Sequence, residues 1–168
     1  MKQYLLDTNI YICFYDRAYW FESFPSFWEA FAEVINRHVV LPRVVVDEAS
    51  GSDEFKAWLT ANYKEKYVNH KNYAQEWAEV IQHIARHPCY SEIALTDVRS
   101  WTHERIADGW LIAIAKREGL TIVTDESPNI NLDAQRPSKA VKIPDIAKDF
   151  GVKCITLNEF FKEIGFRL

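Results

Sequence analysis

The amino-acid sequence predicts an α/β fold, with a central parallel β-sheet flanked by helices. Short apolar runs alternate with longer stretches of helical periodicity along the 168 residues, and this alternation is typical of parallel strands joined by helices. The clearest strands are the apolar runs at residues 4–6, 120–124 and 153–156. A chain of this length with 48% hydrophobic residues can bury enough apolar surface for one core. We therefore expect a single domain over residues 1–168.

The first half of the chain is expected to be largely helical. Pro25 suits a first helical turn, where a missing N–H leaves no hydrogen bond unmade. The valines at 44–46 favour a strand, but Pro42 before them and the turn at 50–51 after them favour a helix. In order, we expect helices at residues 8–16, from Pro25 onward, and at 43–48, 53–63 and 73–86, with short strands at 39–41 and 64–68.

The second half contains the clearest alternation of helix and strand. Gly119 is placed to end a helix over 108–118, and the strand 120–124 follows it. The polar loop at 126–139 is expected to be a flexible segment near a functional site. The remaining predicted elements are a helix at 144–150 capped by Gly151, a strand at 153–156 and a helix at 157–164.

Composition limits the class of protein. The cysteines Cys13, Cys89 and Cys154 form no CxxC pair, so neither a zinc ribbon nor a redox dithiol is indicated. The first apolar run stops at Asp7, which does not fit a signal peptide, and no segment approaches the length of a membrane span. We therefore expect a cytoplasmic protein without a membrane partner. The net charge of −4 is unusual for a protein that binds nucleic acid, unless several acids surround a metal ion.

Four acids are candidates for one site. Asp7 and Asp125 directly follow predicted strands, and ligands of open parallel sheets collect at the carboxyl ends of the strands. Asp108 stands at the start of a predicted helix, where the helix dipole favours a carboxylate. Glu48 lies on the helix that follows the second predicted strand, so it is able to reach the same end of the sheet. We expect the four carboxylates to converge.

Carboxylates that converge repel one another unless a cation neutralises them. Ligands that are all oxygen suit Mg²⁺ or Mn²⁺ rather than zinc. Such a site supports hydrolysis of a phosphodiester, because the ion lowers the pKa of a bound water and stabilises the leaving oxygen. Thr8 and Asn9 are expected to lie behind the ligands and to hydrogen-bond the carboxylate of Asp7.

Several motifs resemble those of PIN-domain nucleases. The opening Leu5-Leu6-Asp7-Thr8-Asn9 looks like the first motif of that superfamily, residues 107–115 look like its third-acid helix, and residues 122–125 look like its fourth-acid strand. The tail over residues 142–155, together with Phe160-Phe161, is similar to the PIN-like family DUF4411. The order and spacing of the motifs extend the resemblance over nearly the whole chain.

The resemblance implies a PIN-like nuclease domain and assigns the acids of that superfamily to Asp7, Glu48, Asp108 and Asp125. It implies an endoribonuclease that depends on Mg²⁺ or Mn²⁺ and acts on RNA, as VapC-like toxins do. It also implies a cognate antitoxin protein as a partner, since DUF4411 proteins are often found in toxin–antitoxin pairs. Glu48 is less secure than the other acids, because Asp47 is adjacent to it.

Other interpretations of the same residues stay open. A single aspartate after a strand is more often a turn residue or a helix cap than a ligand, and only the set in matching order favours a site. A phosphatase of the haloacid-dehalogenase type would need a second acid at the position of Asn9. A phosphate-binding loop is not indicated, because no GxxxxGK[ST] motif occurs. The main alternative is a catalytically inactive PIN-like module that binds a protein partner.

Some further side chains are candidates for contacts. Phe21, Phe24 and Phe27 are expected to form an exposed apolar patch for a homodimer or an antitoxin. His83 and His87 lie four residues apart on a predicted helix, but without a further ligand in the sequence a solvated helix face is the favoured interpretation. The candidates for phosphate contacts are Arg43, Arg99, Arg105, Lys139 and Lys142, and those for stacking on bases are Trp20 and Trp101.

Overall fold

The computed structural model describes residues 3–168. Its centre is a parallel sheet in which three strands follow the order β1-β2-β3, with β1 at Tyr4–Leu6, β2 at Thr121–Val123 and β3 at Cys154–Ile155. Strand β2 is central and pairs in parallel with both neighbours. Helices flank this sheet, so the predicted α/β class with a central parallel sheet is confirmed.

The helices lie close to their predicted positions. Pro25 occupies the first turn of its helix, and Gly119 ends the buried helix of the second half with a positive φ of 68°, a backbone angle that favours glycine. A π-helical turn at Phe14–Ala18, a 3₁₀ turn at His70–Tyr73 and a short α-helix at Ile93–Thr96 were not predicted. The α-helices are α1 (Thr8–Cys13), α2 (Pro25–His38), α3 (Arg43–Glu48), α4 (Asp53–Asn62), α5 (Ala74–Arg86), α6 (Ile93–Thr96), α7 (Ala107–Glu118), α8 (Ile143–Asp149) and α9 (Leu157–Glu163).

The strands predicted at 39–41 and 64–68 are reduced to isolated bridges. Val39 forms one parallel bridge with Tyr4, and Pro42 forms one with Val68. Proline has no N–H to donate, so a regular ladder cannot continue through position 42. One isolated bridge therefore lies beside β1, and the second joins the segments around Pro42 and Val68.

Helix α7 is the most enclosed helix and lies against several others. Its residues Leu111, Ile112, Ala113 and Ile114 are fully buried, which means that neighbours cover it on more than one side. It contacts α3, α5 and α8 as well as β2, so the start of α7 is held firmly beside the sheet. Within residues 3–168, no helix has the length and apolar character that crossing a membrane requires.

An aromatic core fills the space between the π-helical turn Phe14–Ala18, α2 and the C-terminal segment. Phe14 contacts the rings of Phe27 and Phe31 at centroid distances of 5.0 and 5.1 Å. The prediction that Phe27 belongs to an exposed patch is wrong, because its side chain is fully buried on the inner face of α2. Phe21 stacks on Trp28 at 3.9 Å and is partly buried. Of the predicted patch, Phe24 is exposed.

Candidate active site

Asp7 lies where β1 passes into α1, and its side chain is almost completely buried. The exposed fraction of the residue is 2%. One carboxylate oxygen, Oδ2, accepts a hydrogen bond of 2.9 Å from the hydroxyl of Thr124, at the end of the neighbouring strand β2. The other oxygen, Oδ1, accepts the backbone N–H of Asn9 at 3.5 Å and so caps α1. The parallel pairing of β1 with β2 therefore fixes the orientation of this carboxylate.

Negative charge collects around Asp7. Burial raises the pKa of Asp7 to about 6. The nearby charges of Glu126 and Glu48 act in the same direction, while the hydrogen bonds from Thr124 and Asn9 oppose it. This acid therefore stands in an environment that disfavours its charged form.

Asp108, in the first turn of α7, belongs to the same group of acids. Its pKa is raised well above the usual value, mainly by burial. The charges of Asp7 and Glu48 raise it further, and so does that of Glu126. Helix α7 thus brings a carboxylate to the carboxyl end of the sheet, as the sequence predicts.

Glu48, at the end of α3, holds the start of α7 in place. Its Oε2 atom accepts the backbone N–H of Ala107 at 3.0 Å, an N–H that the helix itself leaves unpaired. The neighbouring Asp47 is exposed, so the side chain chosen from the sequence is the one that faces the other acids. Glu48 both adds negative charge and positions the helix that carries Asp108.

The structure also places Glu126 beside these acids, a residue that the sequence analysis did not select. Its Oε2 atom accepts the N–H of Ile143, at the start of α8, at 2.7 Å. Its Oε1 atom lies 3.2 Å from the ammonium of Lys142. We call Asp7, Glu48, Asp108 and Glu126 the acid site, because the charges of the other three raise the pKa of Asp108.

Asp125 lies at the margin of the acid site. It is exposed, and its Oδ1 atom accepts the backbone N–H of Leu157, at the start of α9, at 2.9 Å. It lines a cavity together with Asp7 and Glu126, but it is not among the charges that shift the pKa of Asp7 or Asp108. Its role as a metal ligand remains a prediction.

Cavities open on the acid site from several sides. Asp108 and Glu126 line a cavity of about 530 Å³ whose wall also contains the basic residues Arg99, Lys139 and Lys142. The buried ring of Trp101 lines the same cavity. Glu48 lines another cavity, of about 480 Å³, together with Arg105 and other residues. Solvent and a ligand thus have access to the carboxylates.

The residues fit a hard divalent cation. Among the described residues 3–168, no lysine, arginine or histidine forms an ion pair with Asp7, Glu48 or Asp108. The hydroxyl of Thr8 is buried beside Asp7 and has no hydrogen-bond partner within the same residues. All the donor atoms are oxygens, which suits Mg²⁺ or Mn²⁺.

The spacing of the acids also bears on the choice of ion. Within residues 3–168, one group of three metal-binding side chains has all its ligand atoms within 4.8 Å of one another. This group is His83, His87 and Asp149, and it includes none of the four acids. The carboxylates of the acid site are therefore more widely spaced. This spacing suits Mg²⁺, which is usually held by one or two carboxylates directly and keeps several of its waters.

The hydrogen bonds that support Asp7 agree only in part with those predicted from the sequence. Asn9 does hydrogen-bond Asp7, through its backbone N–H rather than its side chain. The Thr8 hydroxyl does not, and the hydroxyl that does belongs to Thr124. Glu126 was missed because it adjoins Asp125, and adjacent side chains leave an extended chain in opposite directions. The chain offered no signal to decide which of the two faces the site.

Comparisons with known proteins give a family and no described function. No curated protein and no solved structure matches the chain. A family model matches residues 4–168, and the family is described as a domain of unknown function, DUF4411. The match covers almost the whole chain, and the protein therefore belongs to the DUF4411 family.

Proposed function

We propose that this protein is a divalent-metal-dependent endoribonuclease that hydrolyses RNA phosphodiester bonds, with Mg²⁺ or Mn²⁺ as its cofactor. One observation carries the proposal. The charge of Asp7 raises the pKa of the neighbouring Asp108, and both acids lie at the carboxyl end of the parallel sheet with no basic partner among residues 3–168. Acids in this arrangement are stabilised when a divalent cation offsets their charge.

The chain's own residues divide the work as follows. Asp7 and Asp108 would hold the cation, with Glu48 and Glu126 adding negative charge around it. The hydroxyl of Thr124 keeps the Asp7 carboxylate oriented. A divalent ion held there would supply a water of lowered pKa and would stabilise negative charge on the phosphate. A carboxylate of the acid site in contact with that water would serve as the general base.

Basic residues next to the acids support a nucleic-acid substrate. Arg99, Lys139 and Lys142 line the cavity that Asp108 and Glu126 border. Arginine and lysine side chains bind phosphate groups through hydrogen bonds and opposite charge. If two phosphates of a single RNA strand contact these basic residues, a neighbouring phosphate of the same strand lies close to the acids. The wall of this cavity thus carries local positive charge, although the net charge of the whole chain is −4.

The biological setting follows from the resemblance of the motifs to PIN-domain nucleases. The Leu5-Leu6-Asp7-Thr8-Asn9 opening and the acid of α7 support membership of the VapC-like group of toxins. We accordingly propose that the protein is a cytoplasmic toxin held inactive by a cognate antitoxin. Trp20 and Phe24, with exposed fractions of 59% and 44%, are apolar side chains available to such a partner or to a second copy of the chain.

The proposal is tested by RNA cleavage with the purified full-length chain. A mixture of structured and single-stranded RNAs is incubated with Mg²⁺ or Mn²⁺, with a chelator, and with the variant Asp7→Asn. The matched control is Asp16→Asn, which removes an exposed carboxylate nearby in the chain. We expect cleavage by the wild type and by Asp16→Asn, and none with the chelator or with Asp7→Asn.

Two outcomes would contradict the proposal. Equal cleavage by the wild type and Asp7→Asn would show that the activity comes from a contaminant. Binding of Mn²⁺ without cleavage of any RNA in the mixture would favour the alternative, a PIN-like module that has lost turnover and binds a protein partner. A Mn²⁺ titration of the wild type and Asp7→Asn, run in parallel, separates these two results.

A further inference from the structure

A second group of metal-binding side chains lies outside the acid site. His83 is in the last turn of α5, His87 directly follows that helix, and Asp149 is the last residue of α8. Their ligand atoms all lie within 4.8 Å of one another. His83 and Asp149 are 66 positions apart in the chain, so the third member of the group was not recognisable from the sequence.

We propose that His83, His87 and Asp149 form a binding site for a borderline divalent cation, Zn²⁺ in the first place. Two imidazoles and one carboxylate are a ligand set that zinc accepts, with a water in the remaining position. The set is unlike the carboxylates of the acid site, which favour harder ions. We call these three residues the histidine site. It does not depend on the proposed nuclease function.

The distances in the histidine site are close to those of a zinc centre. The Oδ2 atom of Asp149 lies 2.8 Å from Nε2 of His83 and 3.7 Å from Nε2 of His87. Bonds of about 2.0 Å in a tetrahedron separate neighbouring ligand atoms by roughly 3.3 Å. These two separations fall on either side of that value, and the ligand nitrogens of the two histidines lie within 4.8 Å of each other. Rotations of the three side chains, without movement of the helices, are therefore what binding of the ion requires.

The surroundings orient the two imidazole rings. The ring of His83 meets the ring of Phe150 at 5.1 Å, and the ring of His87 meets that of Tyr90 at 4.9 Å. About a third of the side-chain surface of His83 is exposed, so solvent reaches the site. Aromatic contacts thus restrain both rings, and solvent is able to supply the water of a bound ion.

The ends of two helices add a favourable field. His83 and His87 lie at the C-terminal end of α5, and Asp149 lies at the C-terminal end of α8. The carbonyl groups of a helix C-terminus carry partial negative charge, which favours a cation. Both helices also pack against α7. An ion held between their ends would therefore link α5 to α8.

Binding has a consequence for the proton of His87. Its Nδ1 atom accepts the backbone N–H of Cys89 at 3.2 Å, so in the neutral ring the proton is on Nε2. When Nε2 binds the ion, that proton moves to Nδ1 and the hydrogen bond from Cys89 is broken. The exchange predicts a change in the ring signals of His87 and in the amide signal of Cys89 when Zn²⁺ is added.

The test is a calorimetric titration of the full-length chain with Zn²⁺, together with Co²⁺ absorption spectroscopy. The variants are His83→Ala/His87→Ala and Asp149→Asn. The control His103→Ala removes a histidine elsewhere, and Asp7→Asn weakens the acid site. Circular dichroism checks that each variant is folded.

We expect one Zn²⁺ per chain in the wild type, in His103→Ala and in Asp7→Asn. The double-histidine variant loses at least about 100-fold in affinity, more than the loss of a residue behind the ligands causes. Asp149→Asn, which preserves the shape of the side chain, weakens binding and abolishes the increase in Tm that Zn²⁺ gives the wild type. Absence of saturable binding in the wild type, unchanged binding in the double variant, or loss confined to Asp7→Asn would each overturn the proposal.

Discussion

The acid site and the histidine site differ in how the protein alone satisfies their polar groups. In the histidine site, the carboxylate of Asp149 already has His83 at hydrogen-bonding distance, 2.8 Å. In the acid site, Asp7 and Asp108 face other carboxylates and have no basic partner among residues 3–168. The first group is internally paired without an ion, whereas the second carries an electrostatic cost that a cation relieves. Removal of an acid should therefore have opposite effects on stability at the two places.

The largest effect is expected from Asp108→Asn in the acid site. We expect RNA cleavage to fall about 10³-fold, because a bound ion contributes several kcal/mol to catalysis and each 1.4 kcal/mol is about tenfold in rate. In the presence of a chelator the same variant should be more stable than the wild type, since a buried charge has been removed. Single-turnover cleavage and urea denaturation measure the two quantities.

A matched control for Asp108→Asn is Asp133→Asn, which changes an exposed acid of the long loop. It should alter neither cleavage nor the free energy of unfolding. If Asp108→Asn keeps its cleavage activity, or is less stable than the wild type without metal, the acids are not a site built for a cation, and the contrast with the histidine site disappears.

The next effect is a dependence of stability on pH that originates at Asp7. Its pKa is about 6 in the folded protein against an ordinary value of 3.8, so the folded state holds this proton more tightly than the unfolded state. The contribution to stability is present in full below pH 4 and is lost as the pH rises to about 6. One pKa unit corresponds to about 1.4 kcal/mol, so the free energy of unfolding falls by about 3 kcal/mol over this range.

Urea denaturation between pH 4 and 7.5, with a chelator present, measures this dependence. The free energy of unfolding of the wild type should decrease with pH relative to that of Asp7→Asn, whose side chain does not titrate. Mg²⁺ or Mn²⁺ at pH 7.5 should return stability to the wild type and much less to the variant. Parallel curves for the two proteins would show that the Asp7 carboxylate is not destabilised in the fold.

A smaller effect separates the two adjacent acids at the end of β2. Glu126→Gln should reduce cleavage about tenfold, as expected of a residue that binds or orients a ligand. Asp125→Asn should change it less than about threefold, because that carboxylate caps α9 and its amide can accept the same N–H from Leu157. The reverse ranking, measured in the same cleavage assay, would make Asp125 the fourth acid, as the family resemblance implies.

These two residues also show the limit of prediction from sequence. The strand ends, the start of α7 and therefore Asp7 and Asp108 follow from apolar runs and helix signals, which act over a few neighbouring residues. The choice between Asp125 and Glu126 depends on the direction in which the chain leaves β2, and this is set by α8 and α9, whose N-terminal N–H groups hold one acid each. Such long-range contacts leave no local pattern.

The histidine site also depends on a long-range contact that leaves no local pattern in the sequence. The spacing of His83 and His87 is visible in the sequence, and a solvated helix face was the favoured interpretation because no third ligand was apparent. The third ligand comes from α8, which is brought alongside α5 because both helices pack on α7. The apolar residues of α7, not the histidines, therefore determine that α8 lies beside α5.

The smallest expected effect is that of Asp149→Asn in the absence of metal. The side chains of Asp149 and His83 are both about a third exposed, so solvent screens their interaction, and we expect a loss of at most about 1 kcal/mol in the free energy of unfolding. This sign is opposite to that of Asp108→Asn. With Zn²⁺ present, the wild type should gain stability and Asp149→Asn should not. A metal-free loss of several kcal/mol would instead mean that the carboxylate is needed to join α8 to α5 and that any bound ion plays a minor part in holding the two helices together.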